Sequence, residues 1–163
     1  NSKHDFGMNI IPAMLADKKK LYAWTFDGYW KDVGTVESLW QANMDLLDDK
    51  ELDLYNIKKD WKIYSEDSGS PAQVIGNNAT VRNAYIDKGA IIDGVVEHSV
   101  VSTDATINEG AVVKNSVILP GASVGENAQL DYVIVAENIK IADGIKLSGT
   151  ADNVLLIDKN MTK

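Results

Sequence analysis

The sequence predicts a mainly β protein, in which a parallel β-helix of hexapeptide repeats follows a small α/β segment. Composition is the first observation behind this fold class: all four Trp residues lie before position 65, whereas six Val and Ile residues precede Pro71 and 24 follow it. The second observation is a repeat, since aliphatic residues recur in the later half at intervals of mostly five or six positions. Such intervals form no stripe on an α-helix, so they favour short strands.

The repeat has a period close to one coil of a β-helix. Three similar units begin at Val81, Val96 and Val113, 15 and 17 residues apart, and Leu130 begins the next coil 17 residues later. Three short strands per coil place one aliphatic side chain on each face, and coils stacked at about 4.8 Å merge these side chains into one core. The residues expected to point inward are Ile75, Val81, Ile86, Ile92, Val96, Val101, Ile107, Val113, Ile118, Val124, Leu130, Ile134, Ile141 and Leu147. An irregular β-sandwich is the alternative fold.

The first half contains signals for two helices and two extended pieces. Asp5 is suited to cap a short helix, residues 21–26 have strand composition, and residues 29–33 form a second extended piece. Thr35 is a good N-cap for an amphipathic helix that ends near Asp48. These elements are too few to close a sheet and bury both its faces. The segment therefore resembles the end of a larger α/β domain, and the absence of an initial Met also favours a fragment.

Charge and composition exclude several classes of function. With 24 acidic and 16 basic residues, the net charge is −8, which argues against nucleic-acid binding because that needs clustered Lys and Arg. Cys is absent, which excludes disulfides, thiolate zinc sites and cysteine nucleophiles. No apolar run approaches the roughly 20 residues of a membrane span. We therefore expect neither nucleic acid nor membrane as a partner.

Two residues stand out as candidates for chemistry. Asp32 lies among aromatic residues ahead of a helix, where a carboxylate suits Mg²⁺ at a sugar-phosphate site; alternatively it only makes a turn. His98 is placed between coils, where hexapeptide acyltransferases carry a general base. However, His98 occupies the position of Asn83 and Asn115 in the sister units, which favours a polar corner residue without a chemical role.

Two stretches carry a family resemblance that extends over essentially the whole chain. Ser2-Lys-His-Asp-Phe-Gly7, followed by Ile10-Ile-Pro12, is the first. The more specific one runs from Gly28 to Leu47 and includes Tyr-Trp-Lys-Asp-Val-Gly-Thr. Both resemble segments of bacterial glucose-1-phosphate adenylyltransferases, also called ADP-glucose pyrophosphorylases, and Trp61-x-Ile-Tyr-Ser65 follows in the family's order.

The resemblance implies an organisation and an activity. Residues 1–64 would be the C-terminal remnant of the nucleotidyltransferase domain, 65–71 a linker, and 72–163 a left-handed β-helix with its tail. The family makes ADP-glucose and pyrophosphate from ATP and α-D-glucose 1-phosphate, for glycogen or starch synthesis in the cytoplasm. The resemblance also implies that a homo- or hetero-tetramer assembles through the β-helix, and that a sugar phosphate acts as an effector.

Site residues follow from the same motifs. The resemblance makes Asp32 the catalytic, Mg²⁺-binding carboxylate, and it lets Asp5, Phe6 and Trp30 line the glucose 1-phosphate pocket. The family's glycine-rich ATP loop is missing, since no Gly-x-Gly occurs in the sequence. We therefore expect the chain alone to be inactive. Two alternatives remain: a hexapeptide acyltransferase that uses His98 and an acyl-CoA, and a non-catalytic regulatory subunit.

Overall fold

The computed structural model describes residues 3–48, 52 and 67–160. Trp61–Ser65 and the start of the expected linker lie outside these residues. The chain divides into two compact units, residues 1–30 and 31–163. The linker at 65–71 and the domain boundaries around it remain predictions.

The first unit contains a short π-helix, Phe6–Ile10, followed directly by α1, Ile11–Ala16. Asp5 caps the π-helix as expected, because its carboxylate accepts a hydrogen bond from the Met8 amide at 2.6 Å. The strand expected at residues 21–26 is wrong: in the described chain this segment pairs with no other strand. A strand needs a neighbour for its backbone hydrogen bonds, and strand composition alone does not supply one.

The second unit begins with the predicted amphipathic helix and continues into the β-helix. The helix, α2, spans Val36–Asp48. The strands that follow are β1 (Val74–Ile75), β2 (Thr80–Ile86), β3 (Ile91–Ile92), β4 (Val95–Val101), β5 (Thr106–Ile107), β6 (Val112–Lys114), β7 (Val117–Ile118), β8 (Ser123–Val124), β9 (Gln129–Asp131), β10 (Val133–Val135), β11 (Lys140–Ile141), β12 (Lys146–Ser148) and β13 (Leu155–Ile157).

These strands form three parallel faces. The first face has the order β1-β3-β5-β8-β11. The long strands β2 and β4 bend around one corner, so their first halves join β6, β9 and β12 on the second face, and their second halves join β7, β10 and β13 on the third. Strand pairing between the described strands is parallel throughout. This confirms the predicted β-helix over the sandwich.

The core of the β-helix is a stack of aliphatic side chains with small residues at the corners. Ile92, Ile107 and Val124 are fully buried on the first face, and Ser99 and Ser116 are fully buried where the second face turns into the third. The two serines continue the backbone ladder, because the Ser99 hydroxyl accepts from the Ser116 amide and the Ser116 hydroxyl from the Val133 amide, both at 3.1 Å.

Five of the residues expected to point inward do not lie in the fully buried core, and two of them, Ile86 and Leu147, are partly buried against it. Ile134 is buried on the outer side of β10, against α2, while its neighbours Val133 and Val135 point inward. The prediction of Ile134 is therefore wrong by one residue, because β10 is covered on both sides and its composition does not mark the inner face. Ile75 and Val81 are 48% and 36% exposed, since the first coil has a described coil on one side only.

One turn explains why the first repeat is two residues shorter than the others. The first face connects to the second through four residues at Asn108–Ala111 and Gly125–Ala128, but through Asp93-Gly94 alone in the earlier coil. A Cβ at Gly94 would lie 2.4 Å from the Ala111 carbonyl oxygen. Only glycine fits this close approach of two coils.

Two ion pairs among the described residues lie on the outer surface of the β-helix. The Lys114 ammonium, 3.0 Å from the Glu97 carboxylate, lowers the pKa of Glu97, and Arg82 adds to this effect. The ion pair between Lys88 and Asp67 lowers the pKa of Asp67 and raises that of Lys88. These side chains are exposed, so such pairs contribute little to stability.

Candidate functional site

Helix α2 is fixed on the third face of the β-helix. Trp40 and Met44, one turn apart, are 5% and 1% exposed and pack against Val117, Ile134 and Val154. The Trp40 indole Nε1–H donates to the Asn115 carbonyl at 2.7 Å, and its ring lies 5.4 Å from the ring of Tyr132. The apolar face of α2 is thus held by both packing and a directional hydrogen bond.

Asp32 lies in the short segment that leads into α2, and its side chain is exposed. This segment is joined to the helix at both ends. At its start, Lys31 Nζ lies 2.8 Å from Asp45 Oδ2. At its end, Thr35 and Ser38 exchange hydrogen bonds, since each backbone amide donates to the other residue's hydroxyl, at 2.9 and 3.1 Å. This is the reciprocal arrangement of a capping box.

The other residues expected at the site belong to the first unit. Asp5 and Phe6 are neighbours at the start of the π-helix, where one oxygen of Asp5 is used by the Met8 amide and Phe6 is 72% exposed. Trp30 ends this unit and is 75% exposed. Tyr29, the residue before Trp30, is also 45% exposed.

His98 has the surroundings of a corner residue. Its backbone φ is +46°, next to +43° at Asn83 and +44° at Asn115, so the three residues occupy equivalent corners, as the repeat predicts. The His98 Nδ1 atom lies 2.8 Å from Asn115 Oδ1, and Nε2 lies 2.9 Å from the Asp48 carboxylate of α2. Both ring nitrogens are therefore engaged in hydrogen bonds inside the protein.

The described residues do not complete a metal site around Asp32. No group of three or more His, Asp or Glu side chains there is arranged to hold a metal ion. Two surface cavities, of about 420 and 490 Å³, lie on the β-helix and contain neither Asp32 nor His98. None of the helices in residues 3–48, 52 and 67–160 combines the length and apolarity that a bilayer crossing requires.

Sequence comparison connects the β-helix with a known family. The GlmU-like C-terminal hexapeptide family matches residues 70–153, more than half of the chain. The chain belongs to this hexapeptide family. A second family, nucleotidyl transferase, matches residues 1–49, which contain Asp5 and Asp32. The hexapeptide array is thus preceded by nucleotidyltransferase-like sequence, as the resemblance implied.

Curated relatives confirm the resemblance seen in the motifs. Proteins named glucose-1-phosphate adenylyltransferase from Bacillus thuringiensis (strain Al Hakam) and Bacillus anthracis are 45% identical to this hexapeptide-family chain over 158 residues, and one from Bacillus mycoides (strain KBAB4) is 44% identical. Each alignment covers 96% of this chain but 42% of the relative. The chain therefore spans less than half the length of these relatives.

Sequence reasoning missed the contacts that hold the Asp32 segment. Asp45 lies 14 positions after Lys31, far beyond the three or four positions over which side chains pair on one helix. The one available signal is that Asp45 is acidic on the polar side of α2 and Lys31 is basic just ahead of it. The sequence does not identify this partner, because the contact depends on the chain before α2 lying alongside the helix.

Proposed function

We propose that this chain acts as the C-terminal part of a glucose-1-phosphate adenylyltransferase, an enzyme that makes ADP-glucose and pyrophosphate for glycogen synthesis in the cytoplasm. The observation that carries the proposal is the 45% identity over 96% of the chain to proteins of that name. The nucleotidyl transferase match over residues 1–49 supports it, because this match includes Asp32 and its helix.

The proposed reaction is an in-line transfer of the adenylyl group. A phosphate oxygen of glucose 1-phosphate attacks the α-phosphorus of ATP and forms a new P–O bond, while the bond from this phosphorus to the α,β-bridging oxygen breaks and pyrophosphate leaves. The side chains expected around the sugar phosphate are Asp5, Phe6 and Trp30. Their exposure leaves them accessible to a substrate.

Asp32 is the proposed metal-binding carboxylate. Its donor chemistry fits Mg²⁺, which prefers carboxylate oxygens and takes only one or two of them besides substrate phosphates. When bound, Mg²⁺ supplies charge stabilisation to the phosphates that react. The role of Asp32 is to hold a negative charge at a fixed place next to the N-terminus of α2, which itself favours phosphate.

The remaining parts of the proposed enzyme lie outside this sequence. A glycine-rich ATP loop needs closely spaced glycines, and the sequence contains no Gly-x-Gly. In the first unit, three aromatic side chains outside the expected sugar-phosphate pocket are more than half exposed, which is typical of a surface that another part of a protein covers; they are Tyr22, Trp24 and Phe26. We propose that the N-terminal part of the nucleotidyltransferase domain covers them and supplies the ATP site.

The proposed function can be tested with a chimeric enzyme. This chain replaces the matching 158-residue stretch of the Bacillus anthracis relative, and pyrophosphate release from ATP and glucose 1-phosphate is measured. We expect activity from the chimera and none from this chain alone. An inactive but folded chimera, beside an active unaltered relative, would contradict the proposal.

The β-helix has a proposed role in assembly and control. We propose that it joins subunits of a tetramer and contributes to the response to a sugar-phosphate effector, as the resemblance implies. The acyltransferase alternative is less well supported, because both ring nitrogens of His98 are engaged by Asn115 and Asp48. Transfer of an acetyl group from acetyl-CoA by the chimera would favour that alternative instead.

A further inference from the structure

Asp45 uses both oxygens of its carboxylate in fixed contacts. Oδ2 pairs with Lys31 Nζ at 2.8 Å, and Oδ1 accepts from Gln41 Nε2, one turn earlier on α2, also at 2.8 Å. The side chains of Lys31 and Asp45 are 28% and 19% exposed. A carboxylate held at both oxygens and largely removed from water has a defined orientation, unlike one in an ordinary surface ion pair.

The helix that carries Asp45 is itself anchored. Trp40 donates to the Asn115 carbonyl, and Met44, the residue before Asp45, is 1% exposed against the third face. A side chain one position from such an anchor has little freedom to shift along the surface. The contact with Asp45 therefore holds Lys31 at a defined position relative to the β-helix.

Asp32 lies between two attachments to this same helix. Lys31 is tied to Asp45, Thr35 is tied to Ser38, and only Asp32, Val33 and Gly34 lie between them. Adjacent Cα atoms are about 3.8 Å apart, so a three-residue bridge with fixed ends samples few conformations. Without the first attachment, the hydrogen bonds between Thr35 and Ser38 would be what holds this segment to the described part of α2.

We propose that Asp45 is a positioning residue, which holds Lys31 and so keeps the neighbouring Asp32 carboxylate in place relative to α2 and the β-helix. This inference rests on the proposed function, in which Asp32 faces the reacting phosphates. A displacement of about 1 Å at a reacting centre can lower the rate by roughly 100-fold. The contact that holds Lys31, the residue next to Asp32, should therefore affect the turnover rate.

The first arm of the test uses this chain alone and needs no activity. The ¹H–¹⁵N heteronuclear NOE of Asp32 and Val33 is measured in the unaltered chain, in Asp45→Asn and in Glu109→Gln. The Glu109 variant removes the same charge from an exposed turn of the β-helix. We expect lower NOE values only in Asp45→Asn, with a melting temperature close to that of the control. Equal NOE values in the three proteins would contradict the proposed positioning role of Asp45.

The second arm measures steady-state kinetics in the chimera. Asp45→Asn should lower kcat about tenfold or more and leave the KM for ATP within about twofold, whereas Glu109→Gln should change neither. Asp45→Glu keeps the charge and should recover part of kcat, and it serves as the test variant should Asp45→Asn fail to fold. An unaltered kcat in the folded variants would overturn the inference. An inactive parent chimera would instead contradict the proposed function. The NOE measurement would still show whether Asp45 holds the segment that contains Asp32.

Discussion

At the scale of single residues, one corner of the β-helix is formed by residues whose backbone adopts the left-handed conformation. Asn83, His98, Asn115 and Tyr132 have φ of +43°, +46°, +44° and +55°. Asn tolerates this region better than most residues, because its short polar side chain bonds locally. The repeat predicts the equivalence of the first three. Tyr132 gives no such signal, and its ring packs on Trp40 at the same corner.

Glycine is required at two turns for two different reasons, which a pair of variants separates. Gly94 needs space, since a Cβ would lie 2.4 Å from the Ala111 carbonyl oxygen, whereas Gly144 has open space but a φ of +69°. We expect Gly94→Ala to lower the free energy of unfolding by about 3 kcal/mol or more and Gly144→Ala by about 1 kcal/mol. Urea unfolding followed by circular dichroism measures both. A smaller loss in Gly94→Ala than in Gly144→Ala would show that the tight turn between coils is wrongly described.

At the scale of elements, periodicity predicts what is buried on one side and fails where burial is two-sided. The described residues of helix α2, Val36–Asp48, agree with the predicted amphipathic helix, because its apolar stripe has one face to bury. β10 is buried on both sides, so the sequence assigned Ile134 to the wrong one. Residues 21–26 have the composition of a strand, but pairing depends on distant backbone that composition does not identify.

The attachment of α2 gives an element-scale prediction. Trp40→Phe keeps an aromatic ring but removes the donor to the Asn115 carbonyl. We expect this variant to lower the free energy of unfolding by about 1–3 kcal/mol, since the half-buried carbonyl loses its partner. Trp24→Phe is the matched control, because Trp24 is 83% exposed, and its effect should stay within about 0.5 kcal/mol. Equal effects in the two variants, measured by urea unfolding, would argue against the hydrogen bond as an anchor.

At the scale of the whole molecule, a repeat of five- and six-residue intervals was enough to predict the β-helix, while the site depended on resemblance. Spacing alone left Asp32 as either a turn residue or a metal ligand. The motif from Gly28 to Leu47 favoured the second reading, and the nucleotidyl transferase match covers the same residues. The contact between Lys31 and Asp45 could not be predicted, because it arises only after the chain reverses direction ahead of α2.

The most direct test of this account is Asp32→Asn in the chimera. The amide has nearly the shape of the carboxylate but lacks its negative charge, so metal binding should weaken while the fold is retained. We expect ADP-glucose formation at saturating substrates to fall by about 100-fold or more, with the melting temperature within about 2 °C because Asp32 is exposed. Turnover equal to that of the unaltered chimera would contradict the assignment of Asp32 as the metal-binding carboxylate.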